Sequence, residues 1–429
     1  MFEAVTKNRI EENNKSFLDE QTKDYDYFQE KLLRTKNDIN LIKKKINSFK
    51  LALPSWGVGT GGTRFGRFPG IGDPNNIFQK IEDCAVIKDL IGATDSISPH
   101  FPWDNVDDYK ELKDFADKFN LKFDLINSNT FQDQANHEHS YKFGSLTNNS
   151  KEIRDKATEF NIECIRKGNL IGSKGLTVWI GDGGNYPGQQ NFSKSLRNYM
   201  TSMKDIYSNL PDDWKILLEY KPYEPAFYST VINDWGTSYI CAKELGKKAM
   251  CLIDLGHHLP NTNIEMIVSR LIDLKKLGGF HFNDSQYGDD DLDSGSINPY
   301  QLFLIFNELT EERNIENFNK INYMIDQSHN ITDPIESLIQ STNEILVAYA
   351  KSLLVDKEKL ESLQNDNDVI GASNLLKIAF NTDVYSLLKQ IRLENHNAID
   401  PIFTYRKLNY KKEKAKERNN PKTSSPGII

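Results

Sequence analysis

Paired cysteines are missing from this chain. Its four cysteines, Cys84, Cys164, Cys241 and Cys251, form no CxxC motif; three lie in helical-looking segments and one in a strand-like run. They are expected to be reduced, packed thiols, and a sulfur-bound zinc site is not expected. Long apolar runs are missing too. No stretch of about 18 apolar residues occurs, so no membrane-spanning helix is expected. The first residues, MFEAVTKNRIEENNKSF, hold no apolar core of signal-peptide length. The expectation is a cytoplasmic protein with no membrane partner. A basic excess is also absent. Lys and Arg number 53 against 61 Asp and Glu, a net charge of −8. Wide phosphate-backbone contact needs the opposite balance, so no nucleic-acid partner is expected.

What is present is globular composition: 38% hydrophobic and 27% charged residues over 429 positions, enough for one large domain with extensions. Residues 1–50 read as two helices, with Ile39, Ile42, Ile46 and Phe49 as an apolar stripe. From 51 to about 350, short apolar runs alternate with amphipathic segments. The predicted strands are 51–56, 97–103, 123–127, 176–180, 215–219, 249–254, 279–283 and 323–326. The clearest helix follows the sixth, with Asn263 as cap and Ile264, Ile267, Val268, Leu271, Ile272 and Leu274 on one face. Alternating strands and helices imply parallel pairing by right-handed crossovers. Eight units point to a (β/α)₈ TIM barrel over 51–350, with a doubly wound open sheet as the rival. The flanks are N-terminal helices packing on the barrel, a C-terminal helical extension over 351–410 (for example 355–363 and 374–388) and a charged, frayed tail over 411–429.

Four residues stand at or near the ends of the last four predicted strands: Glu219 in KILLE, Asp254 in AMCLID, His281 in GGFHFN and Asp326 in YMID. In a barrel those ends ring one mouth. Three carboxylates and an imidazole are mostly hard donors, suited to Mn²⁺, Mg²⁺ or Co²⁺. Taken singly, each is more often a helix cap or turn former; four in succession strengthen the metal reading. A second set lies just beyond: His257 in DLGHH, and Asp289 and Asp291 in YGDDDLDSG. Alternate residues of an extended loop point the same way, so these two aspartates would chelate together. The bland alternative is a solvated acidic loop. A calcium loop is excluded, because Ser294 stands at its turn glycine and Tyr300 at its closing glutamate.

Gly57, Gly59 and Gly62 satisfy GxGxxG, but Pro69, Gly70, Gly72 and Pro74 follow and prevent the helix that dinucleotide binding requires. A loop carrying Arg64, Phe65 and Phe68 remains, suited to cover a pocket or reach a neighbouring subunit. Trp56, His100, Trp103, Asn127, Asn129 and Trp179 are expected at the same mouth, with Lys221 two residues past Glu219. Such aromatics and amides suit a sugar, although buried aromatics after strands are more often core. His139 is left unassigned.

The stretches PSWGVGTGGTRF, PWD, NSNTF, SKGLTVWIGDG, YEPAFYSTV, DLGHH with PNTNIEMIV, GGFHFNDSQYGDDDLD and MIDQSHNITDPIESL resemble the bacterial L-rhamnose isomerases of the broad-specificity type, in the xylose-isomerase-like superfamily. The resemblance is strong from about 50 to 350 and looser in the flanks and tail. It implies that Glu219, Asp254, His281 and Asp326 hold a structural metal that also contacts substrate oxygens. It implies that His257, Asp289 and Asp291 hold a catalytic metal, and that Trp179 and Lys221 line the substrate pocket. Two divalent cations per subunit are therefore expected, Mn²⁺ first and Co²⁺, Mg²⁺ or Zn²⁺ otherwise. Phe65 falls in a loop that reaches an adjacent subunit of a homotetramer in similar enzymes. The implied reaction interconverts L-rhamnose and L-rhamnulose, with D-allose and D-allulose among other sugars. Rival readings are a ketose 3-epimerase, a metal phosphodiesterase or nuclease, and a non-enzymatic sugar-binding protein.

Overall fold

The computed structural model describes residues 7–35, 37–59, 70–134, 138–224, 229–311, 314, 318–327 and 331–418. Its strands are β1 (Leu51–Pro54), β2 (Thr94–Ser98), β3 (His100–Phe101), β4 (Lys122–Phe123), β5 (Ile126–Ser128), β6 (Gly175–Val178), β7 (Gly183–Gly184), β8 (Lys215–Glu219), β9 (Ser229–Thr230), β10 (Ala249–Asp254), β11 (Leu277–Phe282) and β12 (Asn322–Ile325). Ten of them form a curled parallel sheet in the order β3-β5-β6-β8-β10-β11-β12-β1-β2-β4. Its central strands are buried along most of their length. That explains their continuous apolar runs, since helices cover a parallel sheet.

Two expected strands are broken. The second splits at Pro99, which has no N–H to give the ladder. The third splits at Asp124 and Leu125. Their pairing nevertheless continues, β2 with β4 and β3 with β5. Asp124 N bonds Ile97 O at 2.9 Å, Asn127 N bonds Pro99 O at 3.0 Å and Asn129 N bonds Phe101 O at 3.0 Å. Trp56, Trp103, Trp179, Asn283 and Asp326 lie just past their strands rather than inside them. The small antiparallel pair β7–β9 was not expected.

Helices follow most strands, and Asn or Asp side chains start several. Asn76 accepts from Gln79 N, Asn191 from Lys194 N, Asp234 from Thr237 N and Asn263 from Met266 N, satisfying amides that a helix start leaves free. Ile264, Ile267, Val268, Leu271 and Ile272 are buried as expected, whereas Leu274 is 42% exposed beyond the helix end.

The flanks differ from expectation in detail. The N-terminal region has three helices, Lys7–Asn14, Leu18–Leu32 and Ile39–Ser48, because the chain turns at Lys15–Phe17. The extension starts at Lys357, after the cap Asp356, and breaks between Phe380 and Tyr385 at the turn residues Asn381–Asp383. The charged segment from 411 is not frayed through Arg418. Tyr410–Glu417 is helical, and the Arg418 guanidinium bonds the Asp83 carboxylate at 2.7 and 3.0 Å. A buried partner, absent from local sequence, holds this segment. One apolar cluster runs from Ile10 through the sheet to Tyr410, so the flanking helices share the main core.

Candidate active site

Glu219 and Asp254 close β8 and β10, His281 lies on β11, and Asp326 follows β12. Asp254 pairs in register with His281, and Asp326 N bonds Phe282 O at 2.9 Å. Parallel alignment therefore brings the four side chains to one end of the sheet. One ligand atom from each lies within 4.8 Å of the others. His281 Nδ1 faces Glu219 Oε1 at 3.3 Å, Asp326 Oδ2 at 3.3 Å and Asp254 Oδ2 at 3.6 Å.

Neighbours hold each aspartate by one oxygen and leave the other facing inward. Asp254 Oδ1 accepts from Gly256 N at 2.8 Å and Asn283 Nδ2 at 3.0 Å, while its buried Oδ2 has no hydrogen-bond partner. Asp326 Oδ1 accepts from Trp56 Nε1 at 2.8 Å. Such outer contacts orient metal ligands. Burial opposes charge on Glu219, Asp254 and His281. For His281 the field of Glu219 and contacts with the other carboxylates outweigh it, raising the imidazole well above its ordinary value. Glu219 is correspondingly lowered to about 2, and Asp254 is also lowered, both through the two histidines despite burial. The centre thus calls for positive charge, and a divalent cation fits this donor set.

Asp254, His257 and Asp289 make a second group of ligand atoms within the same limit. His257 Nε2 lies 3.0 Å from Asp289 Oδ1, and its Nδ1 lies 3.2 Å from Glu219 Oε1, so the two groups adjoin. Asp291 is buried and lines the same cavity. The extended-loop argument for this aspartate pair does not hold. Asp289 and Asp291 have φ of 57° and 51°, left-handed positions in a compact turn. Asp290, between them, accepts backbone N–H groups from Gln286, Tyr287 and Gly288, which curls the loop. Such turns favour Asp because its short side chain tolerates this region.

One cavity opens beside both clusters. Besides Glu219, His257, His281, Asp289, Asp291 and Asp326, its wall includes Trp56, His100, Asn127, Phe131 and Trp179, while Asp254 lies behind them. His100 stacks on Trp103 at 3.9 Å, and burial lowers its pKa to about 3, so the ring is neutral at pH 7. Phe131 packs on Trp179 at 4.5 Å. Trp103, Asn129 and Lys221 are not on the wall. Trp103 backs His100, and Asn129 is buried beside Gln132. Lys221 Nζ bonds Asp289 Oδ2 and, at 2.6 Å, Glu224 Oε2, and lies 5.4 Å from the Trp179 ring centre. Phe65 lies outside the described residues, and His139 contacts Tyr141. Sequence reasoning missed Ser128, Phe131 and Thr177 on the wall and Asn283 and Glu224 as supports. All five lie inside the quoted motifs, Ser128 and Phe131 in NSNTF, Thr177 in SKGLTVWIGDG, Glu224 in YEPAFYSTV and Asn283 in GGFHFNDSQYGDDDLD, which was the signal available.

No family model matches the chain. It is 54% identical over 422 residues to a probable sugar isomerase of Rhizobium meliloti, covering 98% of both chains. The same identity and coverage hold for a probable sugar isomerase of Mesorhizobium japonicum. A solved L-ribulose 3-epimerase shares the fold, with a TM-score of 0.50 over 75% of this chain and 98% of that one, at 12% identity. Among the described residues no helix is long and apolar enough to cross a membrane.

Proposed function

We propose, for a chain that belongs to the sugar isomerase family of those two relatives, that it is a metal-dependent aldose–ketose isomerase. We read the curled sheet as a closed (β/α)₈ barrel, since β2 with β3 and β4 with β5 each form one interrupted pass, leaving eight passes in a ring. The observation that carries the activity is the pair of adjoining acid–imidazole clusters on one cavity. Glu219, Asp254, His281 and Asp326 would hold one divalent cation. His257, Asp289 and Asp291 would hold the other beside Asp254. Mn²⁺ is the first choice, with Co²⁺, Mg²⁺ and Zn²⁺ as alternatives. When bound, the cations supply positive charge that offsets the charge developing on adjacent sugar oxygens as hydrogen moves between C1 and C2.

The chain's own residues do the rest. Trp56, Phe131 and Trp179 offer apolar faces to a sugar and narrow the cavity. His100 is neutral, and its buried Nδ1 has no protein partner, so it can exchange a hydrogen bond with a sugar hydroxyl during ring opening. Lys221 is a positioning residue that holds Asp289 against the second cluster. The sugar pair we propose first is L-rhamnose and L-rhamnulose, with D-allose and D-allulose also converted. The assembly we propose is a cytoplasmic homotetramer in which residues near Phe65 reach a neighbouring subunit.

The test is an aldose–ketose panel on metal-stripped and Mn²⁺-restored protein. Aldose–ketose conversion that is lost on stripping and regained with Mn²⁺ is expected. Inversion at C3 of a ketose without aldose formation would instead identify a 3-epimerase. Failure to convert any aldose, L-rhamnose and D-allose included, under any metal would reject the isomerase.

A further inference from the structure

Glu219, at the end of β8, and His257, in the turn after β10, both line the cavity. The residues that follow them, Tyr220 and His258, do not. Tyr220 is 2% exposed and belongs to the main apolar cluster, and His258 is half-buried. The two meet behind the site. The Tyr220 hydroxyl lies 2.8 Å from His258 Nε2, and the rings stand edge to face with centres 5.4 Å apart. His258 Nδ1 faces Leu255 O at 3.4 Å. A carbonyl only accepts, so Nδ1 carries the hydrogen, Nε2 accepts, and the tyrosine hydroxyl donates.

The turn that carries His257 is held differently on its two sides. Towards β11 the main chain holds it. Leu255 N bonds His281 O at 3.1 Å, and Asp289 N bonds Gly256 O at 3.1 Å. Towards β8 the parallel ladder stops at Leu252 opposite Glu219. Beyond that pair the contacts are between side chains: Tyr220 with His258 behind the site, and His257 Nδ1 with Glu219 Oε1 at 3.2 Å inside it. With a cation on each cluster, Glu219 serves one ion and His257 the other. Their direct contact then gives way, and the bond behind the site is left to fix their spacing.

We infer that Tyr220 and His258 are positioning residues for the second cluster, their hydrogen bond holding His257 where it can ligate beside Asp254 and Asp289. The inference rests on the two-cation reading given above. The first set depends less on this bond, because the strands of Glu219, Asp254 and His281 stay joined by the ladder.

Metal-stripped protein is titrated calorimetrically with Mn²⁺, and Asp289→Asn assigns the step that belongs to the second set. Tyr220→Phe removes only the hydroxyl, and His258→Phe removes its acceptor. Each should weaken the second ion about 10–100-fold, the usual effect of losing a partner that orients a metal ligand, and leave the first within about twofold. The double variant should lose no more than either single variant, because all three delete the same bond. A packing role alone would lower stability without separating the two ions. Wild-type affinity for the second ion in both folded single variants, equal weakening of the two ions, or losses that multiply in the double variant would each overturn the inference. If wild type and variants alike take up two ions, the positioning role alone falls. If wild type takes up no Mn²⁺, the two-cation reading falls with it.

Discussion

The two ends of the sheet treat charge, half-buried at one end and largely buried at the other, in opposite ways. Where β8, β10 and β11 begin, three lysines are caged by main-chain oxygens. Lys215 Nζ donates to Gly278 O and Lys320 O, and Lys248 Nζ to Leu210 O and Pro211 O. Lys276 Nζ donates to Ala242 O, Gly246 O and Ala249 O at 2.7–2.9 Å. Each ammonium finds its acceptors within the protein and ties loops together. Where the same strands end, Glu219, Asp254 and Asp326 crowd one imidazole, and Asp254 Oδ2 finds no hydrogen-bond donor. Carboxylates this close repel unless something positive stands between them. Satisfied polar groups serve folding, whereas converging, under-satisfied ones are built for a ligand.

Asp289→Asn should break one side of this comparison most severely. The variant keeps its fold by circular dichroism, and aldose turnover with Mn²⁺ falls at least about 10²-fold, the scale of losing one preorganised charge. Near-normal turnover would remove Asp289 from the proposed chemistry.

Lys276→Met tests the other end. Three carbonyls lose the ammonium donor, Ala242 O and Gly246 O keeping only a backbone N–H each, and urea unfolding should show a loss of about 1–3 kcal/mol. Turnover per folded molecule should stay within about twofold, because the site lies at the opposite strand ends. A collapse of activity without loss of stability would show that the two ends are not independent.

The smallest effect sharpens the contrast through pH. Glu219, lowered from 4.5 to about 2, contributes stability above pH 4.5 that fades as pH falls towards 2. His281, raised from 6.5, contributes stability below pH 6.5 that fades as pH rises towards its raised value. Metal-free protein should therefore have its highest melting temperature between about pH 4.5 and 6.5. Added Mn²⁺ should raise the alkaline side most, by replacing the imidazolium charge. A flat alkaline limb in the metal-free form would contradict the electrostatic account of the first cluster.

Much of the positioning was legible in the chain. The runs ending in Glu219 and Asp254 have the boundaries read from sequence, because strands buried on both faces are written as unbroken apolar stretches. Asn263 announced its helix because capping is local chemistry. The break at Pro99 was also local, but its effect was lost in a run that otherwise looked continuous. Trp103 and Asn129 sit near the mouth in sequence yet not on the cavity wall, since a residue just past a strand can turn behind its neighbour.

The sequence by itself determined the alternation of strands and helices and the acidic and imidazole groups at the ends of the last four strands. Local patterning and strand direction are enough for that, because parallel strands deliver their ends to one side. Tertiary structure decided what no local pattern encodes. It oriented Asp254 through Asn283 and Asp326 through Trp56, curled the Asp289–Asp291 loop and seated Arg418 on Asp83. Those contacts join residues far apart in the chain, and only folding gives them partners. The four strand-end residues were thus readable in advance, but which oxygen of each aspartate faces the centre was not.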